Sequence, residues 1–139
     1  MAYSEDINFQ DRREYFRINF KTPIEFRSYA TPSNAGPAKL AKGSSQNISQ
    51  TGILFKTSDM PPKLSSIVWM NLDIRTLSIC QEIEKKALIL NKGLVGKVVR
   101  VEEDMQDTSA YDIGVCFLTQ DQKDSREVRQ ILSEISQTQ

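Results

Sequence analysis

The chain has 139 residues, 18 basic and 18 acidic, with no histidine. That length suits one domain with a real core and leaves no room for a second, and zero net charge excludes broad electrostatic binding to nucleic acid or an anionic bilayer. The missing imidazole excludes His-based triads, His-activated thiols and His-containing zinc sites, and because no carboxylate sits in an apolar run where its pKa would be tuned, no enzyme and no metal are expected.

Residues 1–10 are polar, with Tyr3, Ile7 and Phe9 scattered among acids, and read as an N-terminal arm. They show no basic segment followed by an apolar stretch, so no signal peptide is expected and the protein reads as cytoplasmic. Asp11 to Arg17 places three guanidinium groups (Arg12, Arg13 and Arg17) on seven residues. Over residues 1–30, five acids balance five bases, so the cluster is local. Arginine is planar and always charged, and its fork of donors fits a phosphate or the O6/N7 edge of guanine.

From Phe16 the apolar residues fall on even numbers (Phe16, Ile18, Phe20, Ile24, Phe26), the period of a half-buried strand, and Pro23 should bend it or place it at an edge. Arg17, on the opposite phase, then faces outward. Residues 31–37 form a loop by composition. A polar strand follows from about Lys39 to Ile48, and Asn47 to Gly52 reads as a hairpin turn whose glycine answers a positive φ or a close approach of backbone. Met60-Pro61-Pro62-Lys63 is a further break. Ile67 to Ile74 reads as a strand with Val68, Met70, Leu72 and Ile74 on one face. Between Arg75 and Lys92, Leu77, Cys80, Ile83 and Ala87 fit a short helix while Ala87 to Leu90 fits a buried strand, and periodicity leaves the two open. Val95 to Val101, with Val95, Val99 and Val101 on one face, pairs with Tyr111 to Phe117 across an acidic turn.

At the end, Asp121 can cap a helix carrying the stripe Val128, Ile131, Leu132 and Ile135. Five or six strands and one terminal helix imply a mainly β chain, a small antiparallel barrel or sandwich with the helix covering an opening. The longest apolar runs, such as Ile67 to Met70, are far too short to span a membrane. Cys80 and Cys116 lie in apolar surroundings without C-x-x-C spacing and read as reduced, partly buried thiols.

Two stretches carry chemistry. Arg13 and Arg17 are spaced for a planar anion. Asn47 and Ser49 lie two apart, so on a strand both project from one face, and their amide and hydroxyl suit the edge of a nucleobase while Gly52 keeps the turn tight. Taken alone, the first is solvated charge before a strand and the second an ordinary turn. By chance the first pattern occurs in roughly one chain in three of this length and the second in roughly one in fifteen. Their order and their separation by one strand-loop-strand unit make coincidence a poor explanation.

With these residues in view the sequence resembles the PilZ domains, bacterial receptors for cyclic di-GMP. The resemblance rests on Arg13-Glu-Tyr-Phe-Arg17 against the family's RxxxR and on Asn47-Ile-Ser49-Gln-Thr-Gly52 against its [D/N]xSxxG. It continues through Gly96-Lys-Val-Val-Arg100 and Tyr111-Asp-Ile-Gly114-Val-Cys-Phe117, and covers about residues 10 to 137. It implies a six-stranded antiparallel β-barrel with a C-terminal α-helix over 11–137, preceded by the arm 1–10. It also implies cyclic di-GMP as ligand, with no cofactor, on the outside of the barrel. Arg13 and Arg17 would hold phosphate or guanine, Asn47 and Ser49 a guanine edge, and Gly52 the open turn. Arg12 stands where a basic residue in this family accompanies two stacked ligands. Asn47 departs from the Asp of most strong binders, which offers two acceptors to guanine N1–H and N2–H. Nothing in the sequence resembles an output module, so signalling is expected through a separate protein effector or a homodimer, with no membrane or nucleic-acid partner. The rivals are a PilZ-like protein-binding adaptor with a degenerate nucleotide site, and a small barrel stacking single-stranded nucleic acid on Tyr15 and Phe16.

Overall fold

The computed structural model describes residues 17–29, 39–122 and 126–137. The arm 1–10, Arg12, Arg13, Tyr15, Phe16 and the 31–37 loop lie outside them. The alternating run that begins near Arg17 becomes two strands, β1 (Ile18–Asn19) and β2 (Pro23–Tyr29). Pro23 opens β2, the position in a strand where a missing amide is tolerated. β3 (Ala41–Ile48) turns into β4 (Gly52–Thr57), and β5 (Ile67–Asn71) follows. Both readings of the ambiguous stretch are realised: α1 (Cys80–Lys86) runs into a single bridge from Ala87 to Thr119 and then β6 (Ile89–Leu90). β7 (Gly93–Glu103) and β8 (Tyr111–Phe117) form the long hairpin, and α2 (Arg126–Gln137) ends the chain.

The pairings run β3-β2-β5-β7-β8-β4 and return to β3, closing a six-stranded antiparallel barrel. β1 continues alongside β3 where β2 has left it, and β6 lies on β7. The barrel is filled by Ile24, Phe26, Ile48, Phe55, Met70, Val98 and Ile113, with the Phe26 and Phe55 rings 4.9 Å apart at a tilt of 50°. Ile79, Ile83 and Ala87 join the same cluster. The opening is therefore filled by α1, and not by the C-terminal helix as the sequence predicts. α2 instead packs Val128, Ile131 and Ile135 against Tyr29, Ile67, Val95 and Leu118, a second apolar layer outside the barrel. It is held at its far end by the Asn91 side-chain amide, which donates to the Ile135 carbonyl at 2.7 Å.

Four expectations fail, each for its own physical reason. The strand at Ile67 is shorter than expected, ending at Asn71, and both its faces are covered, Val68 and Met70 by the barrel core and Ile67 and Trp69 by the α2 layer. In β7, Val95 belongs to the α2 layer, Val98 and Val101 to the barrel, and Val99 is exposed. A β-bulge between Val98 and Arg100 shifts the phase, because two residues there oppose one on β8. Cys116 is exposed rather than partly buried, since Val115 and Phe117 take the inward phase of β8. Asp121 lies apart from α2, which begins at Arg126. It sits in a separate 3-10 turn at Gln120–Gln122, where its carboxylate accepts from the Thr119 hydroxyl.

Candidate functional site

The β3–β4 turn is braced from within. The Ser49 amide donates to the Gly52 carbonyl at 2.9 Å, and the Ser49 hydroxyl accepts from the Thr51 amide at 3.2 Å, a side chain closing its own turn two residues on. Ser49 is thereby buried. Gly52 has no left-handed backbone to explain it. Its requirement is close approach, because a Cβ there would stand 2.4 Å from the Val115 carbonyl oxygen of β8. Of the two reasons the sequence offers for a glycine, this one holds.

Across the turn, the Arg17 guanidinium donates through Nη1 to Asn47 Oδ1 at 3.0 Å. Arginine has donors and no acceptor, so the amide atom facing it is the oxygen. Asn47 thus turns its –NH2 elsewhere. This bond joins the end of the arginine stretch to the start of the turn, thirty residues apart in sequence.

Around them lies an open cavity of about 670 Å³, within the roughly 300–1,000 Å³ typical of small-ligand sites. Arg17, Asn47, Ser49, Thr51 and Gly52 form one wall. Val99 and Arg100 of β7 and Gly114 and Cys116 of β8 form the other. Among the described lining residues are two guanidinium groups, Arg17 and Arg100, and no carboxylate, the acid that pairs with Arg100 standing outside the lining. The stem of Arg100 lies across Gly114, whose added Cβ would meet the Arg100 Cβ at 3.1 Å. Arg100 Nη2 donates to Glu102 Oε1 at 2.8 Å, which raises the guanidinium pKa and holds the Glu102 carboxyl below its ordinary value.

The structure therefore brings together four of the six residues singled out in the sequence, Arg17, Asn47, Ser49 and Gly52, while Arg12 and Arg13 lie outside the described residues. It adds Thr51, Val99, Arg100 and Cys116, which periodicity does not nominate. The signal for Arg100 is in its stretch, Gly96 to Arg100, but the bulge that turns both Val99 and Arg100 outward has no mark in an apolar pattern.

The sequence model of the PilZ domain family matches residues 11–134, nearly the whole chain. The chain belongs to the PilZ family. PilZ domains are receptor and adaptor domains for cyclic di-GMP, not enzymes. No curated protein matches the sequence. The PilZ assignment agrees with the closed barrel and terminal helix, and it places both chemistry-bearing stretches inside the matched region. No helix among the described residues is long and apolar enough to cross a membrane.

Proposed function

We propose that this PilZ domain is a receptor for cyclic di-GMP, which it takes in the cavity between the β3–β4 turn and β7–β8. The observation that carries the reading is the convergence on that cavity of the Arg17 guanidinium, the Asn47 amide and the tight Ser49–Gly52 turn, with the Arg100 guanidinium on the facing strand. Cyclic di-GMP presents two phosphates and two guanines. Forked guanidinium groups pair with phosphate or with guanine O6/N7 and stack on purine faces. Arg13 and Arg17 supply these contacts, Asn47 and Ser49 meet a guanine edge, Gly52 lets the turn lie flat on β8, and Arg12 favours a second stacked ligand. On binding, segment 1–17 closes over the ligand and the altered surface is read by a protein effector or a second copy of the chain.

Calorimetric titration with cyclic di-GMP tests this, using the wild type beside an Arg13→Ala, Arg17→Ala double variant. Binding by the first alone supports the receptor, a ratio of two ligands per chain supports the role of Arg12, and preference over cyclic di-AMP, which lacks guanine O6, supports the base contacts. Slower tryptic cleavage within segment 1–17 at saturating ligand supports closure. The rival reading is a protein-binding adaptor with a degenerate nucleotide site. Silence of the wild type toward the nucleotide moves the assignment there.

A further inference from the structure

Asn47 reaches the outer face of the barrel because β3 changes phase just before it. Ser45 and Ile48 are both fully buried, three residues apart rather than two. In an uninterrupted strand Asn47 would share the inward face of Ser45 and Ile48 would point to solvent. Both neighbours of β3 record the change. Toward β4, two steps from Ser45 to Asn47 match one step from Phe55 to Leu54. On the other side, three steps from Ser44 to Asn47 match four from Pro23 back to Asn19.

The extra chain on that second side is Phe20-Lys21-Thr22, and Ser45 fastens it. The Ser45 amide donates to the Thr22 carbonyl at 2.9 Å, and the Thr22 amide donates back to the Ser45 hydroxyl oxygen at 3.0 Å. The same hydroxyl donates to the Phe20 carbonyl. The Phe20 amide in turn donates to the Gln46 carbonyl at 3.1 Å. Phe20 and Thr22 lie between β1 and β2, outside the ladder, so one of them has a carbonyl and the other an amide to satisfy beside the core. A hydroxyl is donor and acceptor at once and satisfies both. Alanine satisfies neither, and a thiol does so poorly.

We infer that Ser45 is a positioning residue for the ligand site: its hydroxyl locks the phase change that turns Asn47 outward, and anchors the connection that carries Arg17. It thereby sets the Arg17–Asn47 contact without touching the ligand. The inference rests on the proposed binding roles of Arg17 and Asn47.

The test uses the full chain as wild type, Ser45→Ala and Ser45→Cys, the last preserving volume while weakening the hydrogen bonds. In the ligand-free proteins the ¹⁵N–¹H resonances of Arg17 Nε and the Asn47 side-chain amide are followed by NMR, and cyclic di-GMP affinity is measured by calorimetry. Both variants are expected to shift both resonances and to bind about tenfold more weakly. In an Arg17→Ala background, Ser45→Cys is expected to weaken binding by clearly less than in the wild type, since the Arg17 part of what it positions is already gone and only the Asn47 part remains. Unchanged Arg17 and Asn47 resonances, or a full additional loss in the Arg17→Ala background, overturns the inference. If Ser45→Ala does not fold, Ser45→Cys carries the same measurements. If the wild type does not bind cyclic di-GMP, the proposed function fails, and the resonances still decide whether Ser45 positions the pair.

Discussion

Asn47→Asp is the substitution on which the nucleotide reading is most exposed. In the free protein the Asn47 oxygen accepts from Arg17 at 3.0 Å, so one acceptor is already committed when a ligand arrives. A carboxylate has two oxygens: one can keep Arg17 while the other accepts from guanine N1–H or N2–H. Hydrogen bonds to a charged acceptor contribute about 1.5–3 kcal/mol. Against this, the substitution turns the Arg17 contact into an exposed ion pair, which stabilises the free state by roughly 0.2–1 kcal/mol and opposes any ligand that must displace it. The difference favours binding by about 1–2 kcal/mol, roughly five- to thirtyfold in affinity. Titration of both proteins with cyclic di-GMP at one salt concentration measures it. Equal or weaker binding by Asn47→Asp would refute the guanine-edge role of this position.

Two further outcomes concern the frame that holds the site. Gly52→Ala drives a methyl group against the Val115 carbonyl; the expected loss is about 1–3 kcal/mol of stability, read as a lower urea midpoint, together with weaker ligand binding. At the other end of β4, the Asp104 carboxyl is held below its ordinary value near 3.8, chiefly by its hydrogen bond with Lys56 and then by the Gln106 amide. A depressed folded value means stability is complete above the unfolded value and is lost as pH falls through the folded one. Acid unfolding below about pH 4 should therefore be less steep in Asp104→Asn than in the wild type, followed by circular dichroism, and identical acid profiles would contradict this.

Much of the fold is written locally. The alternating even-numbered residues from Ile18, the Asn47–Gly52 turn and the helical stripe at Val128, Ile131 and Ile135 each report a periodicity that burial then satisfies. What the pattern hides is where a period breaks. The irregularities at Gln46 and Val99 cost the strands one residue of phase each and leave the composition untouched. The dual burial of Ile67 and Val68 likewise reads as alternation in error, because it depends on α2 returning to cover the outer face. Half of the candidate site was legible because its two stretches are contiguous. Arg100 was not, for it meets the turn through the β7–β8 and β8–β4 pairings, contacts between residues far apart in sequence that no local window contains.

Closure of the barrel has a consequence for how this surface can change. Each of its six strands has a hydrogen-bonded neighbour on both sides, so over the closed part of the wall the backbone is already paired and a molecule lying there is discriminated mainly by side chains. Frame and vocabulary are thereby separated: the residues inside the wall answer to packing, those outside it to whatever they meet. Substitution at Arg17, Asn47 or Arg100 can rewrite what is read while the barrel persists, whereas a residue removed from β3 away from the irregularity at Gln46 would turn the strand beyond the cut to its opposite face.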